Sequence, residues 1–305
     1  MILNIILEIM FPILSLIASG TFLHHQFKFD MKTFSKLILY YYIPALAFLN
    51  IYQANLSLKK LLNIFAYLIL QLIILFVISN LLSKVLKLEK RLSASFSNSI
   101  ILVNNGNIGI PLNDLVFHHN PFAMSVQMVV VLFEILTSCT VGLINANSAQ
   151  KGFNNSLKPF FKLPVFYAVM LGLFSKILHL KIPDFLLTPL ETVANGMLAF
   201  ALVSIGAQLS ISRFKEQSIL VCLSSFVRLI IAPICSFSLI CFLELKGVTA
   251  QVLFISSAIP TSRNSVVLAL EYDNHPEFAA QALMLSTLLS SFTLTIVIYL
   301  SNYIL

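Results

Sequence analysis

The chain has 305 residues, of which 58% are hydrophobic and only 10% charged, and its net charge is +7. A mean hydropathy of +0.93, with well under the roughly 25% charged residues of an average soluble domain, excludes a large soluble core and indicates an all-α protein that crosses a membrane many times. The bases lie in short segments between apolar runs, so they report orientation in a bilayer and give no support to nucleic-acid binding.

About 20 apolar residues cross a bilayer. On that ruler ten spans follow one another, at roughly 3–23, 33–53, 61–83, 93–118, 121–146, 163–180, 184–209, 218–243, 249–271 and 277–302. The first apolar run has no Lys or Arg before it, which predicts a first spanning helix in place of a cleaved signal peptide. Cys139, Cys222, Cys235 and Cys241 fall inside apolar spans with no CxxC and no nearby His pair, so neither a disulfide framework nor a zinc site is expected. His24-His25 and His118-His119 stand at span ends. Adjacent helical side chains diverge by about 100 degrees and chelate poorly, so these read as interfacial polar groups and no metal is expected. The chain has no GxSxG, HExxH or Walker sequence, hence no expected cofactor and no expected enzymatic chemistry.

Twelve lysines and arginines, among them Lys28, Lys84, Arg91, Lys151 and Arg213, lie in loops after odd-numbered spans, against five after even-numbered ones. That bias places the odd loops in the cytoplasm and both termini outside. An internal duplication is also legible. Phe11-Pro12 with Gly20 matches Leu163-Pro164 with Gly172, and Leu46-Ala47-Phe48 matches Leu198-Ala199-Phe200, all 152 residues apart. Pro111 has a counterpart in Pro260, 149 residues on. Five spans per half is an odd number, so the second half, 160–305, is inverted relative to the first, 1–147.

The fourth span is interrupted by Asn104-Asn105-Gly106-Asn107-Ile108-Gly109-Ile110-Pro111, and the ninth by Ser256-Ser257-Ala258-Ile259-Pro260-Thr261-Ser262-Arg263-Asn264. Such residues are tolerated at bilayer depth only where protein or water surrounds them. Half-helices starting near Pro111 and near Pro260 would aim free N–H groups, with about half a positive charge each, into one site suited to a carboxylate. Arg228 and Arg263 are the arginines within spans; each suits charge balance for an anion or an ion pair with Glu134, Glu191 or Asp114. Glu134 and Glu191 are candidates to carry a coupling proton. Asp114 is explained by the first turn after Pro111.

Asn104-x-Gly106-x-x-Gly109-Ile110-Pro111-Leu112 resembles the span-four crossover of the auxin efflux carrier family, and Ala258-Ile259-Pro260-Thr261-x-x-Asn264 resembles its span-nine crossover. Ile43-Pro44-Ala45-Leu46, Ser204-Ile205-Gly206 and Arg228 with Pro233 fit the same pattern. The resemblance implies ten helices in two inverted five-helix repeats with crossing broken helices, an architecture like that of sodium/proton antiporters and bile-acid transporters. It implies a scaffold of spans 1, 2, 6 and 7 that forms a homodimer, and a transport domain of spans 3–5 and 8–10 moving as an elevator in the cell inner membrane. It implies a small organic anion, malate-like in bacterial members, as substrate. Asn104 would contact that anion, and Pro111 and Pro260 match the family's crossover prolines. From the residues themselves, Asn105, Asn107, Thr261, Arg263 and Asn264 are expected to complete the site, with Glu134, Glu191 and Arg228 serving coupling or charge balance. Span six begins Leu163-Pro164-Val165 where the family often has Asn-Pro, which removes a polar contribution there. Other readings are a sodium- or proton-coupled carrier of the bile-acid or antiporter type, and a membrane sensor that keeps the fold without transport.

Overall fold

The computed structural model describes residues 5–53, 58–147, 164–211 and 219–304. Five of the bases behind the orientation count, Lys151, Lys158, Lys162, Arg213 and Lys215, lie outside the described residues. In chain order the helices are α1 (Ile5–Phe27), α2 (Thr33–Gln53), α3 (Lys59–Val85), α4 (Lys90–Ile101), α5 (Ile110–Val116), α6 (Pro121–Asn147), α7 (Pro164–Ile177), α8 (Asp184–Gln208), α9 (Ile219–Phe242), α10 (Gly247–Ser257), α11 (Arg263–Glu271) and α12 (Pro276–Tyr303). Seven of them, α1, α2, α3, α6, α8, α9 and α12, are long and apolar enough to cross a membrane. Large apolar side chains such as Val85, Phe242 and Phe292 point outward, about three-quarters exposed, as a surface facing lipid requires.

The helices pack in two groups. In the first, α8 lies along α1 and α7 along α2, with α8 also touching α2. The α1–α8 crossing is a backbone contact: a Cβ on Gly20 would fall 2.1 Å from the Val203 carbonyl oxygen, and one on Gly206 only 1.8 Å from that of Ile17. Small residues permit this approach where lipid offers no hydrophobic drive. The Thr21 hydroxyl seals it by donating to Gly206 O at 2.9 Å. Gly172, matched to Gly20 by sequence, lets α7 approach Phe48 O on α2 in the same way. The second group contains α3 to α6 and α9 to α12, with α3 on α4, α10 on α6, and α9 and α11 on α12. Contacts of α2 with α6 and of α5 with α8 join the groups.

Prolines shape several of the long helices. A proline lacks the N–H and crowds the carbonyl four residues back, so the turn before it widens. Such π-type turns occur at Ile38–Tyr42, ahead of Pro44, and at Val227–Ile231, ahead of Pro233. A further one stands at Ile5–Met10, ahead of Pro12, and another, at Ser138–Gly142, has no proline near it. At one end of the bundle the start of α4 and the loop that follows α11 are tied together by Arg91 with Asp273 at 3.0 Å and by His275 with Glu89.

Candidate functional site

The two polar interruptions meet in the middle of the second group. Helix α4 ends at Ile101, and Leu102 is already extended, with φ −89° and ψ 117°. Helix α10 ends at Ser257, and the chain stays non-helical until Ser262 caps α11. The freed stretches run antiparallel and bridge at Val103 and Thr261. Asn104 N–H donates to Pro260 O at 3.0 Å, and Ser262 N–H donates to Leu102 O at 2.8 Å. The Thr261 hydroxyl donates to Ser99 O at 2.7 Å, and Thr261 N–H reaches Ser286 Oγ at 3.2 Å. Each break thus satisfies the other's backbone, the condition for non-helical chain at membrane depth.

The halves that follow the crossing differ from expectation in one respect. The half-helix after the first break begins at Asn105, six residues before Pro111, as a π-type turn over Asn105–Gly109 that runs into α5. Pro111 sits in the first turn of α5, where its missing N–H costs little. Pro260 lies in the crossing segment itself. The two prolines are therefore not equivalent positions. The bridge pairs residues 103 and 261, whereas the sequence repeat paired 111 and 260. The second half-helix starts as predicted: the Ser262 side chain accepts Asn264 N–H at 3.2 Å, leaving Arg263 and Asn264 in its first turn.

Three cavities surround the crossing. One of about 210 Å³ lies where the helix groups meet and is lined by Ser35, Asn107, Glu134, Gln208, Arg263 and Asn264. A second, about 480 Å³, lies between the same groups toward the other bundle end, with Asn50, Pro111, Asp114, His119, Glu191 and Asn195 on its wall. A third, about 70 Å³, is internal to the second group and touches Tyr67, Gln71, Asn105, Glu134, Arg228 and Ser257.

Glu134 borders both the first and the third cavity. Its Oε2 accepts Gly106 N–H at 3.1 Å, so the start of the first half-helix already holds a carboxylate of the protein. Across the same cavity the Arg263 guanidinium donates to the Ser35 hydroxyl on α2, spanning the two helix groups. The Asn264 amide donates to Ser138 Oγ at 3.2 Å.

The predicted residues separate by place. Asn107, Arg263, Asn264 and Glu134 come together on the 210 Å³ cavity. Asn104 is 6% exposed and stands behind them, its Oδ1 accepting the Asn107 amide at 2.9 Å. Pro260 and Thr261 are buried in the crossing, engaged by backbone. Asn105 turns the other way, receiving Gln127 Nε2 at 3.3 Å on its side-chain oxygen. Pro111 and Glu191 belong to the 480 Å³ cavity. There Asp114, in the first turn or so after Pro111, pairs with His119 at 2.8 Å. Arg228 faces only the smallest cavity, and neither Arg228 nor Arg263 pairs with Glu134, Glu191 or Asp114 among the described residues.

Sequence reading missed Gln127. Its Oε1 accepts the Ser256 hydroxyl at 2.8 Å while its amide serves Asn105, joining the two interruptions through α6. A Cβ on Gly109 would lie 2.5 Å from that amide nitrogen, which explains the second glycine of the motif. A single glutamine in an apolar span was the available signal. Ser35 and Gln208 were missed as well, because they come from the other helix group.

The family model described as "Membrane transport protein" matches residues 5–156 and 154–298. The chain belongs to this family of transporters, the group that contains the auxin efflux carriers. An uncharacterized transporter of Methanocaldococcus jannaschii is 24% identical over 85% of this chain and 86% of its own length. The uncharacterized transporter YfdV of Escherichia coli K12 is 24% identical over 96% of each chain. A transporter of Methanothermobacter thermautotrophicus is 22% identical over 86% of each. The chain is a multi-pass membrane transporter and not an enzyme.

Proposed function

We propose that this transporter is a secondary carrier of a small organic anion, a malate-like carboxylate, working by elevator-type alternating access. The observation that carries the reading is the 210 Å³ cavity at the crossing, where Arg263, Asn264 and Asn107 converge at the start of α11. A guanidinium beside a helix N-terminus and two amides suit a carboxylate in charge and in hydrogen bonding. Pro260, Thr261, Asn104 and Asn105 hold the crossing rigid behind it, and Arg228 balances charge from within. Glu134 is the coupling residue, and Pro111 and Glu191 serve the entry toward the other face.

On this reading α4 with α5, and α10 with α11, are each one interrupted span, which with the shorter α7 gives ten spans in two inverted repeats, 1–147 and 160–305. Helices α1, α2, α7 and α8 are the scaffold, which forms the homodimer. The remaining helices carry the anion across the inner membrane, with both termini outside. The presence of cavities between the groups toward both bundle ends supports a site reached alternately from each side.

A counterflow screen of the purified protein in vesicles, against malate, malonate, other dicarboxylates and indole acids, tests the reading. Exchange of at least one carboxylate, weakened in Arg263→Gln, is expected. Saturable binding of a carboxylate in detergent without any counterflow would instead favour a sensor.

A further inference from the structure

Arg228 is 1% exposed and heads the fully buried side chains by volume among the described residues. It has no carboxylate within ion-pair distance among those residues. A buried cation without an acid needs another counter-charge. Its partners supply one. Nη1 donates to Ile100 O at 2.9 Å, and Nη2 donates to Ser257 O. Ile100 lies in the last turn of α4 and Ser257 is the last residue of α10, so both are carbonyls that a helix end leaves without an intrahelical donor. Each such end carries about half a negative charge, and two together balance one guanidinium.

The placement is structural in origin. Arg228 occupies the widened turn ahead of Pro233, on α9, from which its planar fork reaches both helix ends at once. In carriers with broken helices, C-terminal half-helix ends and unwound carbonyls are where a soluble coupling cation is coordinated. We infer that Arg228 is a tethered cation that fills this position, so that the crossing closes without bound sodium and the carrier operates independently of it.

Arg228 is thus a positioning residue for both half-helices and not an anion ligand. Two further polar atoms frame its surroundings. Arg228 Nε and Gln71 Oε1 are buried without a partner, and both residues line the 70 Å³ cavity. Removal of the guanidinium would leave Ile100 O, Ser257 O and Gln71 Oε1 around a larger space, a set of hard oxygen donors fit for a small monovalent cation.

The test uses the intact protein in detergent and needs no transported substrate, so it stands or falls separately from the anion reading. Thermal unfolding is measured in sodium chloride and in choline chloride at equal ionic strength. The wild-type midpoint is expected to be the same in both. Arg228→Ala should unfold at lower temperature in choline and recover by about 3 °C or more with sodium or with dilute methylguanidinium. Arg228→Lys, which keeps the charge, should fold and stay indifferent to sodium. A wild-type protein stabilised by sodium would overturn the inference. So would an Arg228→Ala protein that is as stable as wild type, or one whose loss neither cation restores. If Arg228→Ala yields no folded protein, Arg228→Lys decides: folded and sodium-indifferent supports a tethered cation, and unfolded refutes it.

Discussion

Glu134 presents Oε2 to the Gly106 N–H at 3.1 Å, so a carboxylate of the protein occupies the half-helix start that an incoming anion would also favour. Two negative charges in one poorly hydrated cavity repel, and protonation of Glu134 removes the conflict. Arg263 is the charged group facing Glu134 across that cavity, and Arg228 and Tyr67 face it from the smaller one. Carboxylate counterflow is therefore expected to rise as pH falls and to decline by up to about tenfold per pH unit on the alkaline side. Glu134→Gln should flatten this profile while retaining exchange. A wild-type profile that rises with pH would contradict it.

Arg263 is expected to set affinity. Hydrogen bonds to a charged group contribute about 1.5–3 kcal/mol, so Arg263→Gln should raise the half-saturation concentration roughly 10- to 100-fold. Ser35→Ala removes the acceptor that holds Arg263 across the two helix groups. It should leave binding in detergent nearly unchanged and alter the exchange rate, which a comparison of equilibrium binding with vesicle flux would reveal.

Asn104 is expected to act through Asn107. Because its Oδ1 is taken by the Asn107 amide, Asn104→Ala and Asn107→Ala should weaken carboxylate binding to a similar extent. The double variant should be little worse than either single one. Additive losses in a binding titration would show that the two side chains act separately.

Gln127→Leu preserves shape but strands the Asn105 side-chain oxygen and the Ser256 hydroxyl. Each buried group left without its partner costs about 1–3 kcal/mol. A lower unfolding temperature is expected, with wild-type stability counting against this bridge. Gly206→Ala should be destabilising for a different reason, since its Cβ would meet Ile17 O on α1 and push the helices apart.

The interruptions in spans four and nine were legible because Gly, Pro and Asn are costly inside an apolar helix. Their existence could be read, but not their register. The stretch Asn104 to Pro111 marks the first break and Pro111 the start of the next half-helix, yet the chain leaves the helix at Leu102 and is helical again from Asn105. Nor could rotation be read. Asn104, Asn105 and Asn107 look alike in sequence, but only Asn107 reaches the 210 Å³ cavity, because consecutive residues of a turn face different neighbours. Ser35 and Gln208 belong to elements far away in the chain, and no local pattern marks them.

The bridge between Val103 and Thr261 also bears on biogenesis. Asn104 N–H and Leu102 O find their acceptor and donor only in residues 260 and 262. On the proposed ten-span reading, the first five spans leave the ribosome with these groups at membrane depth and no partner segment to bond them. On that reading the early half is expected to wait, incomplete, until the ninth span enters and its extended segment docks. Residues 1–147 expressed without the rest are expected to be cleared by proteolysis and rescued by co-expression of residues 160–305, as pulse-chase labelling would register.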